Sequence, residues 1–309
     1  MKLGIEPVVD IVFKYLFANP EHGGIALSLI NFVLELTCRP PAASITFANP
    51  FSLADFHGAK QTVVDIRAKD GSNRDFLVEM QIRTDPSTLE RMLDTWARAY
   101  AAQIGSGELY EEHRPVISIW ILDSRLFPGD HWLHILEVQD RPSGGRCLDS
   151  FLIVAVELPK RASLPDFDEN LMLKGGIDEW LYLLARGQDI DPGSPALAGA
   201  TPEIREAVAA MEVFSKDEAA RYEYERQLEY VRVQRGLMKH ERQQGREEGR
   251  EETKLEDARN FKRLGVPVEV IAKATGLSMD VIEALYQETL PRRRRVADRH
   301  RQILRPRSQ

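Results

Sequence analysis

Cysteine is scarce: Cys38 and Cys147 are the only two in 309 residues. They stand far apart, no CxxC occurs and no His pair has zinc-ligand spacing, so neither a disulfide framework nor a structural zinc site is expected. Long apolar runs are missing too. The longest, Ile25–Leu36, is interrupted by Ser28 and Asn31 and is too short to cross a bilayer. No arginine-led apolar leader with a small-residue cleavage site is visible, so no secretory signal and no membrane partner are expected, and the expected compartment is the cytoplasm. The 43% hydrophobic share fits a soluble globular chain with one sizeable core and an appendage.

Positive charge is lacking overall but not everywhere. The net charge is −7, yet Pro291–Gln309 holds eight arginines against one aspartate, a local +7 that leaves −14 on residues 1–290. An acidic body cannot hold a polyanion by general attraction, and would need a local site, a metal, or the tail.

The stretch Gln61–Arg83 is the most informative. Thr62–Ala68 and Phe76–Ile82 are apolar and β-branched runs flanking Asp70-Gly71-Ser72-Asn73, a turn-forming cluster that predicts a β-hairpin. If Asp70 pairs with Arg74, counting back along both strands sets Asp65 opposite Glu79, and Gln81 shares their face because strand residues two apart point the same way. Opposed like charges destabilise a hairpin unless something neutralises them. A hard divalent cation, Mg²⁺ or Mn²⁺, would do so and would polarise a phosphodiester. The spacing alone leaves open an ordinary solvated polar face.

Around the hairpin, Val12, Phe13, Leu16 and Phe17 predict a helix with one apolar face, for which Asp10 suits the N-cap, and Lys14 lies one turn on, on the same side. A second amphipathic helix is expected over Ile25–Leu36, and Ile45–Leu53 as a linker with a short strand. Asp85-Pro86 predicts the start of a third helix, whose stripe of Leu89, Met92, Leu93, Trp96, Ala97, Tyr100, Ala101 and Ile104 is expected as core. Arg91 and Arg98 fall on a neighbouring face. Val116–Leu122 and Phe151–Leu158 read as strands covered on both faces. His131 and His134 are expected in a loop or packing role. Trp180, Leu181, Leu183 and Leu184 mark a packed helix, and Gly187–Ala200 reads as a linker. From Lys216 to Asn260 the sequence turns to charge. Tyr224, Leu228, Val231 and Met238 keep 4-3 spacing, with Arg235 at a core-type position, which suggests a solvated, partly frayed helix able to pair with a copy of itself. Ala272, Gly276 and Ile282 have helix-turn-helix spacing, but Asp280 and Glu283 make the second helix a poor reader of a major groove.

The pattern Asp65, turn, Glu79-Met80-Gln81 resembles the PD-(D/E)XK nuclease core, with Gln81 where most members carry lysine. More narrowly, the chain resembles the Rpn family of recombination-promoting nucleases, also described as transposases. The likeness runs through Asp10-Ile11-Val12-Phe13-Lys14-Tyr15-Leu16-Phe17, Val64-Asp65-Ile66, Glu79-Met80-Gln81, Arg91, Gln103, Gly107, Tyr110, the Val116–Leu122 strand and Glu157-Leu158-Pro159-Lys160. It ends with the Gly-Arg-Glu-Glu repeats and Thr275-Gly276-Leu277-Ser278, so it covers most of the chain up to about Leu285. Asp94 departs from it, where tyrosine is common.

The resemblance implies an α/β fold, a mixed sheet flanked by helices with a C-terminal helical extension. It implies a metal-dependent DNA endonuclease linked to recombination or transposase-like processing, with Asp65 and Glu79 as ligands of Mg²⁺ or Mn²⁺, Asp10 as an outer ligand, and Gln81 orienting water or a phosphate oxygen. Arg91 and Lys14 would contact substrate. Gln81 cannot take a proton at neutral pH, so the base would be metal-bound hydroxide or a substrate phosphate. The alternative is a noncatalytic DNA-associated or partner-binding protein of the same shape. The expected divisions are a nuclease-like domain over 1–190, a linker and charged helical segment over 191–260, a small helical module over 261–290 that could mediate homo-oligomers with the preceding helix, and a disordered arginine-rich tail over 291–309.

The tail is directly testable. Deleting residues 291–309 should weaken DNA association and flatten the dependence of log K on log salt, by about 3.6 if four phosphates are neutralised at roughly 0.9 each on duplex DNA. Turnover at saturating DNA should survive. An unchanged salt slope would show that the arginines do not touch the substrate.

Overall fold

A computed structural model describes residues 2–48, 65–105 and 107–287. The arginine-rich tail and the first residues of the expected hairpin strand, Thr62–Val64, lie outside them. The elements in chain order are α1 (Asp10–Phe17), α2 (Gly23–Leu36), β1 (Ile45–Phe47), β2 (Ile66–Asp70), β3 (Asp75–Gln81), α3 (Thr88–Ala101), β4 (Val116–Leu122), β5 (Leu133–Leu136) and β6 (Phe151–Glu157). Then follow α4 (Leu158–Arg161), α5 (Ile177–Arg186), α6 (Pro195–Gly199), α7 (Pro202–Lys216), α8 (Glu218–Arg263), α9 (Val268–Thr275) and α10 (Met279–Gln287). Among the described residues no helix is long and apolar enough to cross a membrane.

The strands form one mixed six-stranded sheet in the order β1-β2-β3-β4-β6-β5. β1, β2 and β3 are antiparallel neighbours, β3, β4 and β6 run parallel, and β5 closes the edge antiparallel to β6. The apolar runs expected to be covered on both faces are the central strands: every residue of β4 is buried, and all of β6 except Phe151. One face, carrying Ala68, Phe76, Val78, Ile119 and Val154, packs on α1, α2, α5 and α7 in the main core. The other packs on α3, through Met92 against Trp120, Leu122 and Ile153, and through Ala99 against Leu77 and Val116.

The hairpin turn is set by one carboxylate. Asp70 Oδ1 accepts from the N–H groups of Ser72 and Arg74 at 3.0 and 2.9 Å, and Oδ2 accepts from Arg74 Nε at 2.7 Å. Hydrogen bonds to charged groups contribute about 1.5–3 kcal/mol each, enough to hold a loop this short. Asn73, not Gly71, takes the left-handed conformation, at φ 59°.

Several local expectations shift. Val9, not Asp10, is the cap residue of α1, and Asp10 opens the helix. α3 begins at Thr88, with the Asp85 carboxylate accepting from Ser87 N–H at 2.8 Å just ahead of it. The stripe on α3 is only partly core: Met92 is buried and Trp96, Tyr100 and Ile104 are half-buried, whereas Leu89 and Leu93 are 41% and 53% exposed, and Thr95 and Ala99, outside the stripe, are buried instead. His134, expected in a loop or packing role, lies on the edge strand β5 and stacks on the Phe127 ring at 3.9 Å.

The larger difference concerns residues 191–236. The chain divides into two compact units, Met1–Gly236 and Leu237–Gln309, and not at residue 190. Ile190, Leu197, Ile204, Val208, Met211 and Phe214 join the main core, followed by Tyr224, Leu228 and Val231 from α8. These last three are the positions whose 4-3 spacing suggested a second copy; they are satisfied within the chain. α8 is continuous over 46 residues despite its glycines. In the second unit, Ala258, Ile271 and Ile282 form a small separate core, and Gly276 makes the turn between α9 and α10 at φ 70°.

On the α3 face Asp75 is fully buried and accepts from Arg67 at 3.1 and 3.3 Å and from Gln103 Nε2 at 3.1 Å. Removing one partner of a buried ion pair costs about 3–5 kcal/mol because the other charge loses its compensation. Asp75→Ala should lower unfolding free energy by about that amount in urea denaturation. A loss below about 1 kcal/mol would show that the pair does not hold the hairpin.

Candidate active site

The paired register runs from Lys69 opposite Asp75 to Ile66 opposite Val78, and Asp70 N–H donates to the Arg74 carbonyl at 3.3 Å. One residue further, the same register sets Asp65 opposite Glu79, as the sequence predicts. Asp65 Oδ2 accepts the Met80 N–H at 2.9 Å, which ties the residue just ahead of β2 to its partner strand. Glu79 and Gln81 share parity with Leu77 and so face α3, at the carboxyl end of a strand parallel to its neighbour, where open α/β sheets bind ligands.

Gln81 is fixed at both ends of its amide: Nε2 donates to Glu79 Oε2 at 3.3 Å, and Oε1 accepts from Arg91 Nη2 at 2.9 Å. Arg91, from α3, lies over the Trp120 ring at 5.5 Å, and Trp120 is the register neighbour of Glu79 on β4. From α1, Lys14 Nζ is 2.8 Å from Asp10 Oδ1 and 3.4 Å from Asp65 Oδ1. Two cations from two helices thus approach the two acids from different sides.

Those cations do not fully compensate the acids. Burial, then repulsion from Asp65, push the Glu79 carboxyl up to about 8, against the opposing pull of Arg91 and Gln81. Burial also raises Asp65, with Asp10 adding to it, while the Met80 N–H and Lys14 oppose. Burial pulls Lys14 down, but the Asp10 and Asp65 carboxylates outweigh it and leave the ammonium above its ordinary value. Lys14 therefore stays charged at neutral pH.

A family model for PD-(D/E)XK nuclease family transposases matches residues 7–240. The chain belongs to that family. No curated protein and no solved structure matches the chain. Membership makes the α/β sheet the nuclease-like core, and implies a nuclease acting on DNA with the help of a divalent metal ion.

The donor set fits such an ion in part. Two hard carboxyl groups face one another, close enough that ionising both is disfavoured, and Glu79 makes no ion pair among the described residues. Asp10 does not join them: no group of three His, Cys, Asp or Glu side chains suited to a metal occurs among the described residues, and Lys14 stands between Asp10 and Asp65. The reason is positional, since Asp10 sits a full turn before Lys14 on the same side of α1.

Other expected residues fall elsewhere. Arg98 pairs with Asp94 at 2.8 Å on α3, Gln103 supports Asp75, and His134 Nε2 lies 2.9 Å from the buried carboxylate of Glu157, which also pairs with Lys160. These are structural. The residues missed by sequence reasoning are Trp120, which seats Arg91, and Gln227 on α8, whose Oε1 accepts the Ile11 N–H at 2.9 Å and so caps α1. Trp120 was legible only as one apolar residue in a buried strand, and nothing local marks Gln227.

The raised Glu79 carboxyl has a definite signature. The folded chain keeps its proton up to about pH 8, while the unfolded chain releases it near 4.5. The folded state therefore binds more protons between those values, so the group's contribution is full below about pH 4.5 and is lost as pH rises through about 8. In metal-free buffer, stability should fall between pH 5 and 9 more steeply than in Glu79→Gln, by a difference on the order of a few kcal/mol. Parallel thermal-denaturation series check this, and equal slopes would show that Glu79 titrates normally.

Proposed function

We propose that this chain is a metal-dependent DNA endonuclease in which Asp65 and Glu79 hold a divalent cation, Mg²⁺ or Mn²⁺. The observation that carries this reading is the pair of mutually repelling carboxyl groups, Glu79 buried and Asp65 partly so, set opposite each other on one hairpin face with Gln81 beside them. When bound, the cation neutralises charge on the scissile phosphate and lowers the pKa of the attacking water.

The chain's own groups do the rest. Gln81, oriented by Arg91 and Glu79, keeps a second N–H for a phosphate oxygen. It has no basic site at neutral pH, and Lys14 is already protonated, so the water's proton leaves to solvent or to a substrate phosphate oxygen. Lys14 and Arg91 supply the positive charge that a lysine at position 81 would bring. Lys14 balances Asp65, and Arg91 stands beside Gln81 and acts on Glu79 through space. Asp10 acts as the counter-charge that positions Lys14. Because Glu79 must lose its proton to bind a cation, metal affinity should rise as pH rises towards 8.

A second reading, a noncatalytic DNA-associated protein of the same fold, is favoured by one observation: the Lys14 ammonium already sits at Asp65, where a cation would have to share the carboxylate. Plasmid cleavage with Mg²⁺ or Mn²⁺ against a chelator control separates the two.

Asp65→Ala and Glu79→Ala should abolish cleavage while leaving the thermal transition in chelator unchanged or raised, because each removes one of two repelling acids. Added Mg²⁺ or Mn²⁺ should raise the transition of the parent chain and not of either variant, as expected for a ligand that binds only the folded state. Cleavage at the parental rate by either variant would overturn the assignment.

A further inference from the structure

Three anchors fix α8 against the entrance to α1. Gln227 accepts the Ile11 N–H, the Tyr224 hydroxyl accepts the Glu6 N–H at 3.1 Å, and Arg235 bonds Glu6 at 2.6 Å and Asp123 at 2.8 Å. Beside these anchors, α8, α1 and the residue after β3 border an open cavity of about 270 Å³ lined by Asp10, Ile82, Arg226, Gln227, Tyr230 and Val231. Asp10 forms one wall and pairs with Lys14, whose Nζ also lies 3.4 Å from Asp65 Oδ1, so a single ion-pair chain links the cavity to the first of the two acids. Ile82 directly follows β3, which carries Glu79 and Gln81.

The lining is of an unusual kind for an acidic body. Tyr230 is 63% exposed and has no ring or hydrogen-bond partner among the described residues. Arg226 is held in place by Glu223, through Nε at 2.9 Å and Nη2 at 2.5 Å, which leaves Nη1 uncommitted among the described residues. Val231 and Ile82 add apolar wall. Gln227 is fixed at both ends, its Oε1 accepting the Ile11 N–H and one Nε2 N–H going to Glu223, so it shapes the wall and offers a ligand at most its second Nε2 N–H.

We propose that this cavity is a nucleotide subsite, in which Tyr230 stacks on an unpaired base next to the scissile phosphate and Arg226 contacts a flanking phosphate. The inference rests on the nuclease reading and deepens it by naming the substrate class: DNA with a single-stranded segment at the cut. A base can offer its face to Tyr230 only when it is out of a duplex stack, and aromatic stacking with a nearby guanidinium is how proteins hold single strands without reading their sequence. Since the one side-chain amide in the wall has a single N–H left to meet a base edge, little base preference is expected.

Fluorescence anisotropy with the full chain in chelator tests it, using a labelled blunt duplex and the same duplex carrying a four-nucleotide single-stranded overhang. The parent should prefer the overhang. Tyr230→Ala should lose about tenfold for the overhang, equivalent to about 1.4 kcal/mol, and less than twofold for the blunt duplex. Tyr230→Phe should retain the preference, and Arg226→Gln should flatten the salt slope on the overhang by about 0.7. An unchanged thermal transition identifies each variant as folded, and Tyr230, largely exposed, carries little of the core.

Equal losses on both DNAs, or none, overturn the subsite while metal-dependent cleavage by the parent keeps the nuclease reading intact. A parent chain that neither binds nor cuts any DNA overturns both.

Discussion

Two carboxylates that repel each other, held in register by a hairpin, are the constraint around which this fold is arranged. The register is pinned three times over. The Asp70 carboxylate closes the turn, the even-numbered residues Ile66, Ala68, Phe76 and Val78 bury in the main core, and the odd-numbered Arg67 and Asp75 pair beneath α3. A slip of one residue would exchange the two faces of a strand, sending Arg67 into an apolar core and Phe76 towards α3. So the opposition of Asp65 and Glu79 cannot relax by sliding.

What relaxation there is comes from elsewhere in the chain. Lys14 arrives on α1 and Arg91 on α3, and each is placed by packing that has nothing to do with charge: α1 by Val12, Phe13, Leu16 and Phe17 in the main core, and α3 by Met92 and Ala99 against the opposite sheet face. The Trp120 ring under Arg91 adds an attraction that a flexible surface arginine would lack. Compensation is left incomplete, and the Glu79 carboxyl remains far from its ordinary range. A site built for stability would have paired Glu79 directly; here its carboxyl is left without an ion pair among the described residues.

α8 extends the same logic outward. Its first turns are apolar towards the core and polar towards α1, so one helix both fills the core with Tyr224, Leu228 and Val231 and caps the helix that bears Lys14. Arg235, at a position that sequence spacing marks as apolar, instead joins Glu6 to Asp123 just beyond β4. The second unit packs its own small core of Ala258, Ile271 and Ile282.

By itself the sequence determined the hairpin, its register, the two central strands, the α5 helix and the Gly276 turn. Each depends on information within about ten residues: apolar runs, period, and the turn chemistry of Asp, Asn and Gly. From the register alone, counting residues brought Asp65, Glu79 and Gln81 together. Tertiary structure decided the rest. Lys14 separates Asp10 from the acids, Arg91 reaches Gln81, His134 lies on an edge strand, and residues 191–236 belong to the core and not to a linker. Those outcomes turn on surfaces that meet only after folding: Tyr224 bonds a residue 218 positions away, and Gln227 one 216 away. The 4-3 spacing of Tyr224, Leu228 and Val231 states that a helix face will be buried. It carries no information on which surface buries it, because apolar burial is proportional to area and has no direction.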